Sequence, residues 1–200
     1  MSVFALVLAA GSGSRMGSPK QLLPVGGRPM LQHAIDAVVA AGLTDLVVVL
    51  GHAAQEVAAA LALPPGALAV VNPRHAEGQS TSLAAGLAQM PTGADAALVL
   101  LGDQPEVRPD AIRALAAAHA PGGAPILRAS YGGRPGHPVL IDRALWPEAM
   151  ELRGDGGARA LVARHPGSLR LVEVGGAPPE DVDTPDDHRR VTSRVEHPPE

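Results

Sequence analysis

Two hundred residues with 46% hydrophobic content and a net charge of −4 describe a globular chain long enough to bury a full core. The balance lacks the basic excess of a nucleic-acid binder, and 2% aromatic content leaves little for base stacking. With no cysteine, disulfides, thiolate metal sites and cysteine nucleophiles are all excluded.

The first apolar run, residues 3–8, is short and has no basic flank, so it reads as a buried strand and not as a signal peptide. No segment has the length of a membrane span, and the expected location is the cytoplasm. The chain then enters Leu8 to Lys20, L-A-A-G-S-G-S-R-M-G-S-P-K. Gly11, Gly13 and Gly17 permit positive φ and let backbone N–H groups turn onto an anion. Arg15 and Lys20 add charge-assisted contacts to phosphate oxygens. The stretch reads as a triphosphate-binding loop. A Walker loop needs G-x-x-x-x-G-K-[ST], and here Ser18 and Pro19 separate Gly17 from Lys20. A dinucleotide fingerprint needs a third glycine where Met16 stands, and an acid where the second strand ends at Gly51-His52.

Further along, Met30, Leu31, Ala34, Ile35, Val38 and Ala41 recur at helical spacing, and Gly42 ends that helix. Strands are expected at 45–50, 68–71, 96–101, 124–128 and 169–174, and helices at 53–62, 80–89, 109–119 and 155–164. Ser80 or Thr81 is expected to cap the helix at 80, and Asp155 the helix at 155. Residues 130–141 read as a loop into a short antiparallel strand. Thr184 is expected to cap a C-terminal segment with Pro185 at its first position, and residues 188–200 to fray. Near-continuous apolar strands alternating with amphipathic helices predict an α/β fold, a Rossmann-like doubly wound, mostly parallel sheet. Asp103, in L-G-D-Q-P, falls just past the C-terminal end of a buried strand, the edge where open α/β sheets bind ligands.

L-A-A-G-x-G-x-R-M-G-x-x-K resembles the signature of the MobA-like NTP transferase superfamily at every fixed position. L-G-D-Q-P resembles that family's L-x-D-x-P, and N-P-R-H-A-E-G-Q-S-T-S-L from Asn72 resembles its N-x-x-x-x-x-G-[MQ]-x-x-S-L. Three strings resemble the MocA-like molybdenum cofactor cytidylyltransferase branch: G-R-P-G-H-P-V at 133–139, G-D-G-G-A-R at 154–159 and D-V-D-T-P-D-D at 181–187.

The resemblance implies a nucleotide-diphospho-sugar transferase-like fold, with one nucleotidyltransferase domain over 1–190 and a flexible tail at 191–200. It implies a Mg²⁺-dependent transfer of CMP from CTP to the terminal phosphate of molybdopterin, with pyrophosphate released. Arg15 and Lys20 are then the catalytic cations. Leu8, Ala9, Ala10, Gly11, Gly13, Arg15, Lys20, Asn72, Gly78, Gln79, Ser80 and Asp103 are expected to bind the nucleotide. Arg134 and His137 lie beside the acceptor. Asp103 and Asp183 are the Mg²⁺ carboxylates, with Asp181 an open alternative to Asp183. The implied partners are the NTP, a molybdopterin-type acceptor and a molybdoenzyme client. Transfer from GTP, another phosphorylated acceptor, and a non-catalytic cofactor carrier are the alternative readings.

Overall fold

The computed structural model describes residues 2–11 and 18–197. Gly13 and Arg15 lie outside them. The elements run β1 (Val3–Ala9), β2 (Pro24–Val25), β3 (Arg28–Pro29), α1 (Met30–Ala40), β4 (Leu46–Leu50), α2 (Ala54–Ala60), β5 (Leu68–Val71), α3 (Gln79–Leu87) and β6 (Ala96–Leu101). They continue with α4 (Pro109–Ala118), β7 (Ile126–Tyr131), β8 (Arg134–Asp142), α5 (Trp146–Glu151), α6 (Gly157–Arg164), β9 (Leu169–Glu173) and α7 (Pro185–Glu196).

Seven of the described strands form one sheet in the order β5-β4-β1-β6-β8-β7-β9, and only β8 runs against the others. Every residue of β4 and β6 is buried, as their unbroken apolar runs require when helices cover both faces. Alternation along β1 sorts the core. Ala5, Val7 and Ala9 pack with Leu31, Ile35, Ile112 and Leu115 of α1 and α4. Leu6 and Leu8 pack with Leu83, Trp146 and Leu161 of α3, α5 and α6. The chain leaves β1 toward β4 and β5, then returns to β6 on the other side. This reversal makes a crevice beyond the carboxyl ends of β1 and β6, where Leu8 pairs with Leu101.

Three local expectations need correction. The stretch expected to be a loop and short strand is instead β8, nine residues long and lying inside the sheet between β6 and β7. Gly132 and Gly133, at φ 58° and 79°, make the two-residue turn between the paired Tyr131 and Arg134, so the chain doubles back at once. Neither Ser80, Thr81 nor Asp155 caps its helix by side chain. Gly78 is the cap position of α3, and Asp155 sits in the 3₁₀ turn before α6. Finally, the C-terminal segment does not fray at 188, nor is 191–196 a loose tail, because α7 runs to Glu196. Thr184 and Asp187 form a reciprocal capping box. Val191 is buried with Val25, Met30 and Val182, and Arg194 forks onto Glu106 at 2.8 and 2.6 Å. A polar helix with one apolar edge is held by that edge and its ion pairs.

Candidate active site

Lys20 opens a short 3₁₀ turn, with Gln21 beside it. Gln21 is 2% exposed, and its Nε2 donates to the carbonyls of Ala9 and Gly11, each at 2.7 Å. That amide ties the end of β1 to the turn carrying Lys20. Asp103 follows β6 through Gly102. A Cβ at Gly102 would stand 2.7 Å from the Ala9 Cβ, so only glycine lets the two strand ends close up here. The third piece comes from far along the chain. Val182 is fully buried, and its N–H donates to the Asp103 carbonyl at 3.0 Å. This bond brings Asp181 and Asp183 to the crevice. Gln104 Nε2 holds Asp181 Oδ1 at 2.7 Å.

The Lys20 ammonium touches both acids, at 2.6 Å from Asp103 Oδ2 and 3.1 Å from Asp183 Oδ1. Burial disfavours its charge, but the attraction and hydrogen bonds of Asp103 and Asp183 outweigh that, and its pKa lies above the usual lysine value. The Asp103 carboxyl is pushed up by burial and by Asp181 and Asp183, against the pull of Lys20. Asp103 Oδ1 is buried without a partner among the described residues. Hard oxygen donors with one orphaned lone-pair face fit a divalent cation. Among the described residues no group of three or more His, Cys, Asp or Glu is arranged to hold a metal ion by itself.

Two clefts meet at this point. The first, about 460 Å³, is lined by Leu8, Ala9, Ala10, Gly11, Lys20, Gln21, His75, Ala76, Gly78, Gln79, Ser82, Gly102 and Asp103, among others. The second, about 430 Å³, is lined by Arg128, Gly136, His137, Arg159, Pro178, Asp181 and Asp183, among others. Gln79, Leu101, Asp103 and Asp155 belong to both. Gly78, at φ 112°, permits the junction. A side chain there would collide with the Gly154 backbone and Asp155.

The expected site residues divide accordingly. Leu8, Ala9, Ala10, Gly11, Lys20, Gly78, Gln79 and Asp103 line the first cleft, and His137 and Asp183 the second. Gly13 and Arg15 fall outside the described residues. Three do not face either cleft. Asn72 is 3% exposed, and its amide bonds Thr81 Oγ1, Ser82 Oγ and the Arg74 N–H, so it fastens the loop to α3. Ser80 is fully buried, and its Oγ accepts from the Gly157 N–H at 3.1 Å. Arg134 opens onto a separate cavity with Glu106, Arg108 and Arg194. Conversely, Gln21, His75 and Ser82 line the first cleft, and Arg128 and Arg159 the second. Gln21 adjoins Lys20, and Ser82 and Arg159 lie in strings already singled out. Nothing local marks Arg128.

A family model described as MobA-like NTP transferase domain matches residues 5–169. The chain belongs to this family. It is a nucleotidyltransferase of MobA-like type. Nicotine blue oxidoreductase of Paenarthrobacter nicotinovorans is 36% identical over 192 residues, covering 91% of this chain and 92% of that protein. The crystal structure of Rv0371c from Mycobacterium tuberculosis H37Rv superposes with a TM-score of 0.85 at 37% identity, over 96% of this chain and 98% of that one. A manganese complex of Rv0371c gives a TM-score of 0.83 at 36% identity, over 96% and 99%. Divalent metals are used by nucleotidyltransferases of this family, in keeping with the acids at the crevice. No helix among the described residues is long and apolar enough to cross a membrane.

Proposed function

We propose that this protein transfers CMP from CTP to the terminal phosphate of molybdopterin, releasing pyrophosphate. The supporting observation is the meeting of two clefts at Asp103, where Lys20, Asp103 and Asp183 come together. In-line displacement at the α-phosphorus needs attacking and leaving oxygens on opposite sides. Two clefts with a shared wall suit that demand, one for the nucleotide and one for the acceptor.

In this reading the backbone of Ala9 to Gly11, held by Gln21, positions the triphosphate. Lys20 is the fixed point charge toward its oxygens, and Arg15 acts with it. Asp103 and Asp183 would hold Mg²⁺, which when bound neutralises phosphate charge. Positioning and electrostatics carry such a reaction, and the acceptor phosphate is already an anion near neutral pH, so no general base is needed. His137, drawn down to about 4 by burial and by Arg128 and Arg159, is neutral at pH 7 and suits an orienting role beside the acceptor. The choice of CTP and of molybdopterin rests on the strings at 133–139, 154–159 and 181–187.

The test is incubation with each of the four labelled NTPs and Mg²⁺, with and without molybdopterin, assaying pyrophosphate and product. CTP should exceed GTP in kcat/KM by at least roughly a hundredfold, about 2.7 kcal/mol. A GTP preference would move the protein to guanylyl transfer. Binding of the cofactor with no pyrophosphate release would make it a carrier. The oxidoreductase name of the Paenarthrobacter relative motivates a parallel arm with NAD(P)H. Cofactor-dependent reduction with no pyrophosphate release would overturn nucleotidyl transfer as the activity.

A further inference from the structure

The second cleft has a polarity that the acids at its mouth do not explain. Its lining includes two arginines from separate elements, Arg128 on β7 and Arg159 on α6. Among the described residues neither guanidinium meets a carboxylate within ion-pair distance, although most other arginines do. Among the described residues Arg128 bonds only the carbonyls of Gly136, at 3.2 Å, and Pro135, at 3.5 Å. Burial and the neighbouring Arg159 both pull the Arg128 pKa below its ordinary value, so the two cations repel across the cleft. Like charges held together without a counter-charge destabilise the fold unless an anion joins them. Gln104 adds a second sign of a ligand. It is 5% exposed, lines the same cleft, and its Oε1 is buried without a partner among the described residues. An acceptor bringing an N–H or O–H would satisfy it.

We propose that Arg128 and Arg159 form the clamp that receives the anionic group of the acceptor and selects a phosphate-bearing molecule. This rests on the transfer reaction proposed above. Two guanidinium forks match phosphate geometry. The assignment differs from the sequence expectation: Arg134, the first strand residue after the tight turn, faces another cavity, while Arg128 across the same hairpin faces this one. The clamp and the acids Asp103, Asp181 and Asp183 line the same cleft, so the phosphate held by the two arginines would lie beside the junction where a cation and the nucleotide would meet it.

The test is a titration of the full chain with inorganic phosphate, in the presence of saturating CTP and Mg²⁺, following the arginine Nε–H resonances by NMR. Arg128 and Arg159 should shift together and saturably. In Arg159→Gln, a substitution at an exposed position of α6, the phosphate affinity read at Arg128 should fall roughly tenfold or more, as expected for loss of a charge-assisted contact, and Arg159→Lys should recover part of it. With molybdopterin as acceptor, Arg159→Gln should raise the acceptor KM by a similar factor and leave the CTP KM within about twofold. Shifts confined to the surroundings of Lys20, or an unchanged acceptor KM in the folded variant, would overturn the clamp. Because the phosphate titration needs no turnover, it reads the clamp even if wild-type protein releases no pyrophosphate, the result that would instead refute nucleotidyl transfer.

Discussion

Replacing Lys20 with Met isolates the cation at the junction of the clefts. The side chain is 13% exposed, and its partners Asp103 and Asp183 are 22% and 58% exposed. Without the ammonium, the two carboxylates lose the cation that touches both. Removing one partner of a fully buried ion pair costs about 3–5 kcal/mol, whereas an exposed pair contributes about 0–1 kcal/mol. The Asp103 contact belongs near the first case and the Asp183 contact near the second. The open mouth of the cleft lowers the total, to about 2–3 kcal/mol. For a chain of this size that lowers Tm by roughly 5–10 °C. The cost should shrink as pH falls. Burial already pushes the Asp103 carboxyl above its ordinary value, and loss of Lys20 removes what opposes this. A group whose folded pKa is raised binds its proton more readily in the native state, so stability rises as pH drops through the folded pKa. Thermal and urea unfolding at pH 7 and pH 5 measure both effects, and Asp103→Asn in the same chain should recover much of the loss. Turnover should fall roughly 10²-fold or more at temperatures where the variant is folded. A Lys20→Met protein that unfolds like wild type, shows no pH dependence of the difference, or turns over normally would refute the reasoning.

Gln21→Leu leaves the Ala9 and Gly11 carbonyls without their shared donor, and urea unfolding should report a loss of about 2–4 kcal/mol together with weaker nucleotide binding. His137 has a folded pKa of about 4 against 6.5 unfolded, so the unfolded chain takes up the proton first and stability is lost as pH falls from 6.5 toward 4. That loss should reach about 2–3 kcal/mol, and His137→Gln should flatten this part of the stability profile. Thr184→Ala removes one half of the capping box, and denaturation should show a cost of about 0.5–2 kcal/mol while the sheet stays intact by circular dichroism. Asp103→Asn should weaken Mn²⁺ binding by roughly tenfold or more in a calorimetric or paramagnetic titration, and unchanged affinity would remove Asp103 from the metal site.

The sequence by itself determined the layered fold. Apolar runs at strand length and apolar spacing at helix length are local properties of the chain, and they place β1, β4, β5 and β6 and helices α1 to α4 within a few residues. It also determined that Gly11 and Lys20 follow the first strand and that Asp103 follows β6, because loop ends are set by where the strands stop. The helical C-terminus was hidden by its polar composition: Val191 and its neighbour Val195 are one turn apart, and their burial depends on Val25 and Met30 from the other end of the chain. Which side chains face the crevice was likewise a tertiary matter. Ser80 and Ser82 are both hydroxyls on α3, yet Gly157 takes the first, and the cleft receives the second. Arg128 and Arg134 stand on paired strands, and the bulge between Arg128 and Ser130 shifts their register. The union of Lys20 with Asp183, 163 residues away, depends on burial of Val182 and its bond to Asp103. Such contacts arise from long-range packing, which no local pattern of residues encodes.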